Sequence, residues 1–282
     1  MSKGFIYATL ASFFWAVQIV LAKIILRAGE NALNLAFWQV ILTVPFWAWL
    51  LFKSSRGVKI KNEDLFLILG QVLVGAVGVT IFNSLGIKYS QAVNFAFLVR
   101  TTVIFTVVFA YFFLGEKITV KKIILAVIIL LGTYLLTTNG TNINLSKGDL
   151  YTLAAAACIS LGNTVFGKML TQRFGSYFSS SITFLLAIPI IFSVAILGGG
   201  LKMPVWPVMI ILVAVIWSLN NFTRFKAYQY ASASFIAMIF FFTPVFVSLL
   251  AIPLLKESLS LVQGIGGVLI VLSGFVVEKI NI

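Results

Sequence analysis

The chain has 282 residues, of which 61% are hydrophobic and only 10% are charged. Its mean hydropathy of +1.11 excludes a water-soluble globular domain, so most of the chain must face lipid or other membrane helices. The net charge of +13 comes mainly from Lys and Arg between apolar runs, which indicates membrane topology and anionic lipid head groups rather than nucleic acid.

Ten apolar segments follow one another along the chain, and each is long enough to cross a bilayer as a helix. They span roughly residues 4–27, 32–52, 63–84, 91–114, 119–138, 148–170, 177–198, 204–223, 232–255 and 260–279. The first is too long for a cleaved signal peptide, so we expect it to be retained as a helix. The continuous apolar run 123–136 favours helices over the alternating strands of a β-barrel.

The two halves of the chain repeat each other. Residues 85–138 align without a gap on 226–279, and twelve aligned pairs are identical, whereas composition alone would give roughly four or five. The polar linker 137–149 separates five segments from five, so we place the repeats at 1–140 and 141–282. Because five is odd, the second repeat enters the membrane from the opposite side. We therefore predict an all-α membrane protein of ten transmembrane helices in two inverted five-helix repeats.

Positive charge is distributed unequally between the two membrane sides. With a cytoplasmic N-terminus, 13 Lys and Arg residues fall on the cytoplasmic side, Lys168 and Arg224 among them, and six fall on the other. This bias predicts that both termini are cytoplasmic.

The rare residue types exclude several kinds of site. The single Cys158 cannot form an intramolecular disulfide, and the absence of histidine excludes histidine-based metal sites and imidazole relays. The seven acids lie near segment ends or in loops, which argues against a buried carboxylate proton carrier. The sequence has no phosphate-binding loop, metal-ligand cluster or nucleophile–base pattern, so we expect no enzyme activity, cofactor or metal.

Arg100 is the sharpest functional candidate. It lies about nine residues into the fourth segment, near the bilayer midplane, where a charge costs at least ~2.5–3.5 kcal/mol. A guanidinium binds carboxylate or phosphate through paired hydrogen bonds, so Arg100 can hold an anionic group of a substrate. The alternative is a structural role on helix carbonyls. Phe97 shares the helical face of Arg100. The repeat partner of Arg100 is the uncharged Phe241.

Polar and aromatic side chains in other segments are candidates to line a central cavity. Trp15 with Gln18, and Ser160 with Asn163, share a helical face at a spacing of three. Their amides can bind substrate while Trp15 stacks on it, or they can join helices by hydrogen bonds worth about 0.6–2 kcal/mol. The same choice applies to Gln71, Trp217 and Asn220. Some tryptophans can instead form interfacial belts, particularly Trp47, Trp49 and Trp206.

Glu116 and Glu257 match across the repeat and are followed three residues later by Thr119 and Ser260. We expect each hydroxyl to cap the next helix and each glutamate to be structural, at opposite membrane surfaces. Mid-segment prolines can kink a helix that must rock. The residues grouped as gating or packing positions are Tyr89, Tyr230, Glu116, Glu257 and Pro244.

Short motifs recur in order in both halves. They are Tyr89-Ser-Gln-Ala92 and Tyr230-Ala-Ser-Ala233, then Leu114-Gly-Glu116 and Leu255-Lys-Glu257, with Thr243-Pro244 and the glycine-containing runs 126–132 and 264–274. Over essentially the whole chain this pattern resembles the drug/metabolite transporter (DMT) superfamily, specifically its EamA-type ten-helix members. The first half departs from the second at Val103, which aligns with Pro244.

The resemblance implies an alternating-access carrier in the cytoplasmic (inner) cell membrane, with a cavity lined by the first, third, fourth, sixth, eighth and ninth helices. Transporters similar to this chain often export amino acids or related metabolites. Together with Arg100, this predicts an amino-acid exporter whose substrate has an apolar or aromatic part. The alternatives are a carrier of nucleotide-like, phosphorylated or cationic metabolites and, in another class, a channel or membrane enzyme. We expect a small-molecule substrate and the bilayer as partners, with a monomer plausible.

Overall fold

The computed structural model describes residues 2–55, 58–90, 95, 97–140, 146–198, 201–255 and 260–280, and in these ranges every regular element is helical. The first half holds α1 (Lys3–Arg27), α2 (Ala32–Ile41), α3 (Val44–Ser54), α4 (Asn62–Gly70), a first π-helical segment (Gln71–Gly78), α5 (Val79–Tyr89), a 3₁₀ turn (Val99–Thr101), α6 (Thr102–Leu114) and α7 (Val120–Thr138). The second half holds α8 (Lys147–Cys158), a second π-helical segment (Ile159–Phe166), α9 (Gly167–Leu197), α10 (Pro207–Tyr230), α11 (Ala233–Ile239), α12 (Phe242–Leu255) and α13 (Leu261–Ile280).

Side-chain caps explain where several of these helices begin. Asn31 Oδ1 accepts the backbone N–H groups of Leu33 and Asn34 at the start of α2. Thr119 Oγ1 accepts the N–H of Lys122 at 3.3 Å, and Ser260 Oγ accepts that of Gln263 at 3.2 Å. A hydroxyl in this position satisfies one of the unpaired donors in the first helical turn. The predicted caps at Thr119 and Ser260 are confirmed.

The all-helical membrane fold is confirmed, and the count of ten spans stays a prediction. Six described helices are long and apolar enough to cross a membrane, or seven if α2 and α3, bent by 40°, form one broken span. One of these, Lys147–Leu197, covers 51 residues and holds two predicted segments. It changes direction at Gly175, whose φ of 78° lies in the left-handed region that glycine adopts without strain.

The ninth predicted segment is two helices rather than one. α11 ends at Ile239 and α12 begins at Phe242. Pro244 has no N–H to donate to the carbonyl of Phe240, and its ring would collide with that carbonyl in a continuous helix. The N–H of Thr243 binds this carbonyl instead, at 3.1 Å. The break therefore has a local cause, one turn before the proline.

The predicted end of the eighth segment is wrong. Helix α10 continues to Tyr230, so Arg224 lies in a helix and not in a loop. Lys168, which the charge count places on the cytoplasmic side, lies at the start of α9 and is only 9% exposed. Oxygen atoms of the protein bind both cations: Asn221 binds Arg224, and the carbonyls of Tyr228 and Ala231 bind Lys168.

Helices of the two predicted halves pack against one another. α1 lies against α10 and α12, α5 lies against α8, and α7 lies against α13. The two π-helical segments also touch, and a Cβ on Gly162 would come within 2.3 Å of the backbone of Gly75. The largest apolar cluster draws on both halves, from Phe5 and Trp47 to Met238 and Ile270. The halves thus share one core, and the boundary between residues 140 and 141 stays a prediction.

Polar contacts gather at the two ends of the helix bundle. At one end Arg173 binds Glu63 and Asp64, and Tyr7 stacks on Tyr230 at 5.8 Å. At the other, the following pairs bond: Glu30 with Val205, Asn34 with Lys202, Ser90 with Asp149, and Asn139 with Ser260. These are the two groups of loops that the charge count assigns to opposite membrane sides.

The outer surface is apolar. Phe52, Phe66, Phe112, Val120 and Leu197 are each at least 69% exposed. Exposed side chains of this size and number need a lipid solvent, because water would drive them to aggregate. The chain is a multi-pass membrane protein.

Candidate functional site

The helix that carries Arg100 changes form at that residue. Val99–Thr101 is a 3₁₀ turn, in which the hydroxyl of Thr101 donates to the carbonyl of Leu98 at 2.7 Å. Moved by the repeat offset of 141 residues, this turn falls on residues 240–242, where α11 gives way to α12. Both halves are therefore interrupted at the same register, with Arg100 in one interruption and Phe241 in the other.

Arg100 lies over the ring of Trp15. The central guanidinium carbon is 4.9 Å from the centroid of the indole, and only 7% of the arginine is exposed. The ring of Trp15 also packs against that of Phe240, with the ring centroids 5.8 Å apart. A cation over an indole face is attracted to it by about 0.5–2 kcal/mol. The fourth segment, α1 and the break of the second half thus meet at one buried cation.

Arg100 has no counter-ion among the described side chains. Its Nε is buried without a hydrogen-bond partner. The described acids bind elsewhere: Glu30 at Asn34, Glu63 and Asp64 at Arg173, Glu116 at Lys122 and Ser234, and Asp149 at Ser90 and Ser146. A buried charge without an opposite charge is costly, so an anion that reaches this guanidinium is bound favourably.

Gln71 and Asn163 meet where the two π-helical segments touch. Gln71 Nε2 donates to Asn163 Oδ1 at 3.3 Å, and both residues are buried. Gln71 Oε1 is buried and lacks a partner in the described part of the chain. Ser160, one turn before Asn163, donates from Oγ to the carbonyl of Thr102 at 2.8 Å. This contact brings the second π-helical segment against the helix of Arg100.

The other predicted substrate residues bind separate parts of the fold. Gln18 Nε2 donates to Gln39 Oε1 at 3.2 Å, and Asn220 Nδ2 donates to the carbonyl of Ala11 at 2.7 Å. The ring of Phe97 packs on that of Tyr134, 5.6 Å away. These are contacts between helices, which is the structural alternative that the sequence left open. Phe240 was not identified from the sequence as a neighbour of the site. The signal was available, because Phe240 directly precedes Phe241, the repeat partner of Arg100.

Two tryptophans lie deeper than a belt residue does. Trp47 is 1% exposed, which contradicts its assignment to an interfacial belt, whereas Trp49 and Trp206 are 57% and 44% exposed. Trp217 packs edge-on against Trp47 and Phe184, with centroids 6.3 Å and 4.6 Å away. The aromatic neighbours that α9 and α10 supply, Phe184 and Trp217, account for the burial of Trp47.

Glu116 ties the first half to the start of α11. Its carboxylate accepts the N–H of Ala233 at 2.7 Å and the hydroxyl of Ser234 at 2.6 Å. Lys122 Nζ lies 3.7 Å from the same carboxylate. Lys168 binds the carbonyls of Tyr228 and Ala231 at the end of α10. Glu116 thus links distant helices and does more than support a local turn.

The remaining gating or packing candidates have mixed outcomes. Tyr230 stacks on Tyr7, and Tyr89 packs on Tyr151 with the centroids 6.2 Å apart. Pro244 follows the break between α11 and α12. Glu257 lies outside the described residues.

The sequence matches the EamA-like transporter family over residues 2–138 and 146–278. The chain belongs to this family. Two relatives, from Clostridium kluyveri and Methanothermobacter thermautotrophicus, are each 24% identical to it and are named as uncharacterized transporters. The alignments cover 98% and 97% of this chain and 93% and 85% of the relatives. The protein is therefore a membrane transporter of the EamA-like family.

A crystal structure shares the fold of this EamA-like chain. The two superpose with a TM-score of 0.76 at 17% sequence identity, and the match covers 99% of each chain. At this identity the likeness bears on the fold alone.

Proposed function

We propose that this EamA-like protein is a secondary transporter that exports amino acids by alternating access. The preferred substrates carry an apolar or aromatic side chain. We place it in the cytoplasmic membrane with both termini inside, as ten helices in two inverted repeats. The single observation that carries the substrate class is the buried guanidinium of Arg100, which packs on Trp15 and has no described acid beside it.

The substrate carboxylate would be held by Arg100. A planar guanidinium donates two parallel hydrogen bonds to a carboxylate, and its free Nε provides one of the donors. Because Trp15 covers one face of the guanidinium, the carboxylate approaches in the guanidinium plane. The rings of Trp15 and Phe240 then offer an apolar surface to the substrate side chain.

The substrate ammonium needs an acceptor, and Gln71 Oε1 offers one. This oxygen is buried and has no partner among the residues that the structure describes. The contact from Ser160 to Thr102 joins the second π-helical segment, which carries Asn163, to the helix of Arg100. An amide oxygen can accept a hydrogen bond from an ammonium without adding a fixed negative charge. A zwitterion therefore satisfies donors and acceptors that the protein alone leaves unpaired.

Alternating access would use the breaks in the two halves. The interruptions at Val99–Thr101 and at residues 240–241 lie at the same repeat position. Helical parts on either side of a break can tilt independently about it, which opens the site to one membrane side at a time. In this motion the outer ends of the helices move, while the hydrogen bonds around Gln71 and Asn163 keep their positions.

Uptake into proteoliposomes across a panel of labelled amino acids tests this proposal. We expect saturable flux for an apolar or aromatic amino acid, abolished in Arg100→Gln, with the purified variant still folded. Lys53→Gln is a matched control, because Lys53 lies over Trp49 at 5.4 Å in an exposed cation–π pair. Flux of nucleotide-like, phosphorylated or cationic compounds, with no amino-acid flux, would sink the substrate assignment.

A further inference from the structure

Arg224 is a second cation inside the helix bundle, partly buried with its Nε fully buried, and it is separate from Arg100. It lies on α10 six residues before the end of the helix at Tyr230, about 9 Å along the axis. It shares a helical stripe with Trp217, Asn221 and Tyr228, which lie seven, three and four residues away. Trp217 and Tyr228 are enclosed by α9, so the stripe faces the interior of the protein.

The contacts of Arg224 orient its charge without neutralising it. Its Nη2 binds Oδ1 of Asn221, which in turn donates from Nδ2 to the carbonyl of Trp217 at 2.9 Å. The guanidinium carbon lies 6.0 Å from the centroid of the Phe225 ring. Arg224 Nε is buried and has no hydrogen-bond partner among the described residues, and no described acid pairs with this side chain. Arg100 and Arg224 share this state, unlike Arg173, which has two acidic partners.

Gln71 lies near Tyr228 on the stripe of Arg224. A Cβ on Gly167 would lie 3.5 Å from Gln71 Oε1 and 3.3 Å from Cε2 of Tyr228, which belongs to the stripe of Arg224. On the other side, the second π-helical segment binds Thr102, two residues from Arg100. The pair Gln71 and Asn163 therefore lies beside the element that carries Arg224 and, through Ser160, beside the helix that carries Arg100.

We propose that Arg224 is a second anion-binding site, or station, on the path of the substrate. It holds the substrate carboxylate between Arg100 and the side of the protein at which α10 finishes, near Tyr230, which we call the α10 end. This inference rests on the proposed function, because both stations take the same carboxylate. The same guanidinium chemistry would also suit the phosphate of a lipid head group, since the station lies near a helix end. The two sources are separable by experiment.

Phenylglyoxal footprinting tests the station in the intact protein. The reagent modifies guanidinium groups, and the chain has five arginines that peptide mass spectrometry can resolve. The protein is placed in phosphatidylcholine nanodiscs and labelled with L-phenylalanine, 3-phenylpropionate or phenethylamine present. At twice the dissociation constant, either carboxylate should lower the labelling of Arg224 about threefold, and phenethylamine should not. Arg173, which is bound to Glu63 and Asp64, is the internal control.

Several results would overturn the station. These are labelling of Arg224 that both carboxylates leave unchanged, equal protection by phenethylamine, or protection that needs only phosphatidylglycerol in the nanodisc. Protection of Arg100 without protection of Arg224 would remove this inference and leave the proposed function standing. Protection of Arg224 alone would keep the station and refute the central site at Arg100.

Transport sidedness gives a second measurement. For substrate added at the α10 end, Arg224→Gln should raise the half-saturating concentration of L-phenylalanine about tenfold, because one charge-assisted contact is lost. For substrate added from the other side, the increase should be less than about twofold. Arg224→Lys should recover part of that loss. Equal increases from both sides would contradict a station at one end.

Discussion

Gln71 Nε2 donates a hydrogen bond to Asn163 Oδ1 across 3.3 Å, and this bond joins the two π-helical segments. π-Helical turns are rare and occur often at functional sites, because they displace a backbone turn from its usual bonds. Here the two segments face each other from different halves of the chain. The bond uses one end of the Gln71 amide and leaves its oxygen without a partner in the described part of the structure.

We expect Gln71→Met to weaken transport more than stability. Methionine fills a similar volume, and side-chain hydrogen bonds in membranes contribute about 0.6 kcal/mol on average. Loss of an acceptor for the substrate ammonium should raise the half-saturating concentration about tenfold or more. Thermal unfolding of the purified protein and proteoliposome flux measure the two effects. Gln39→Met, at the part-buried Gln18 contact, is the control. A lower Tm with unchanged flux would make Gln71 purely structural.

Substitutions at Trp15 should act in a graded way. Trp15→Phe keeps an aromatic face under Arg100, whereas Trp15→Leu removes it. Since a cation–π contact contributes about 0.5–2 kcal/mol, we expect about twofold to thirtyfold weaker substrate binding for Trp15→Leu and a smaller loss for Trp15→Phe. Trp49→Leu, in the exposed pair with Lys53, should change nothing. Equal losses for both Trp15 variants would exclude the cation–π contribution.

Glu116→Ala should lower the Tm. The substitution leaves the N–H of Ala233 and the hydroxyl of Ser234 without their acceptor and Lys122 without its acid. A stranded buried polar group costs about 1–3 kcal/mol. Glu116→Gln keeps one acceptor oxygen and should lie between the two. Glu63→Gln is the control, because that side chain is 66% exposed. A Glu116→Ala variant as stable as the wild type would refute the link to α11.

Gly162→Ala should disrupt packing, whereas Gly264→Ala should be tolerated. A Cβ at residue 162 would lie 2.3 Å from Cα and N of Gly75, whereas one at residue 264 would meet nothing within 4 Å. Overpacking of this kind costs about 1–3 kcal/mol. The yield of folded protein and its Tm compare the two variants directly. Equal behaviour would show that the π-helical segments are not in tight contact.

Topology can be tested with single cysteines. In a Cys158→Ser background, Lys202→Cys should react with a membrane-impermeant maleimide in intact cells. Lys59→Cys should react only after permeabilisation. The expectation follows from the excess of positive charge on the Lys59 side. The reverse pattern would invert the orientation.

Much of the fold follows from the sequence because hydrophobic length is a strong signal in membranes. The apolar segments and the caps at Thr119 and Ser260 could be predicted from it, whereas the contact of Arg100 with Trp15 comes from the structure. The position of Arg224 was not predicted either, because a charge near a segment end was interpreted as the end of the helix. In the structure, Arg224 donates a hydrogen bond to Oδ1 of Asn221 within α10.

The shape of the site was harder to predict than its members. The break before Pro244 has a local cause, whereas the turn at Arg100 has Val103 at the equivalent position and no proline. Only the register of the repeat connects the two. Phe240 and the deep position of Trp47 depend on contacts between distant helices, which a single sequence does not record.

The matched interruptions at Arg100 and Phe241 have a consequence for how such a protein can diversify. The backbone supplies the irregularity in both halves, so the side chain held there is free to change without rebuilding the scaffold. On the proposed function, a substitution at either position changes the charge that faces the substrate. We expect carriers with the same architecture to differ in selectivity at these two positions.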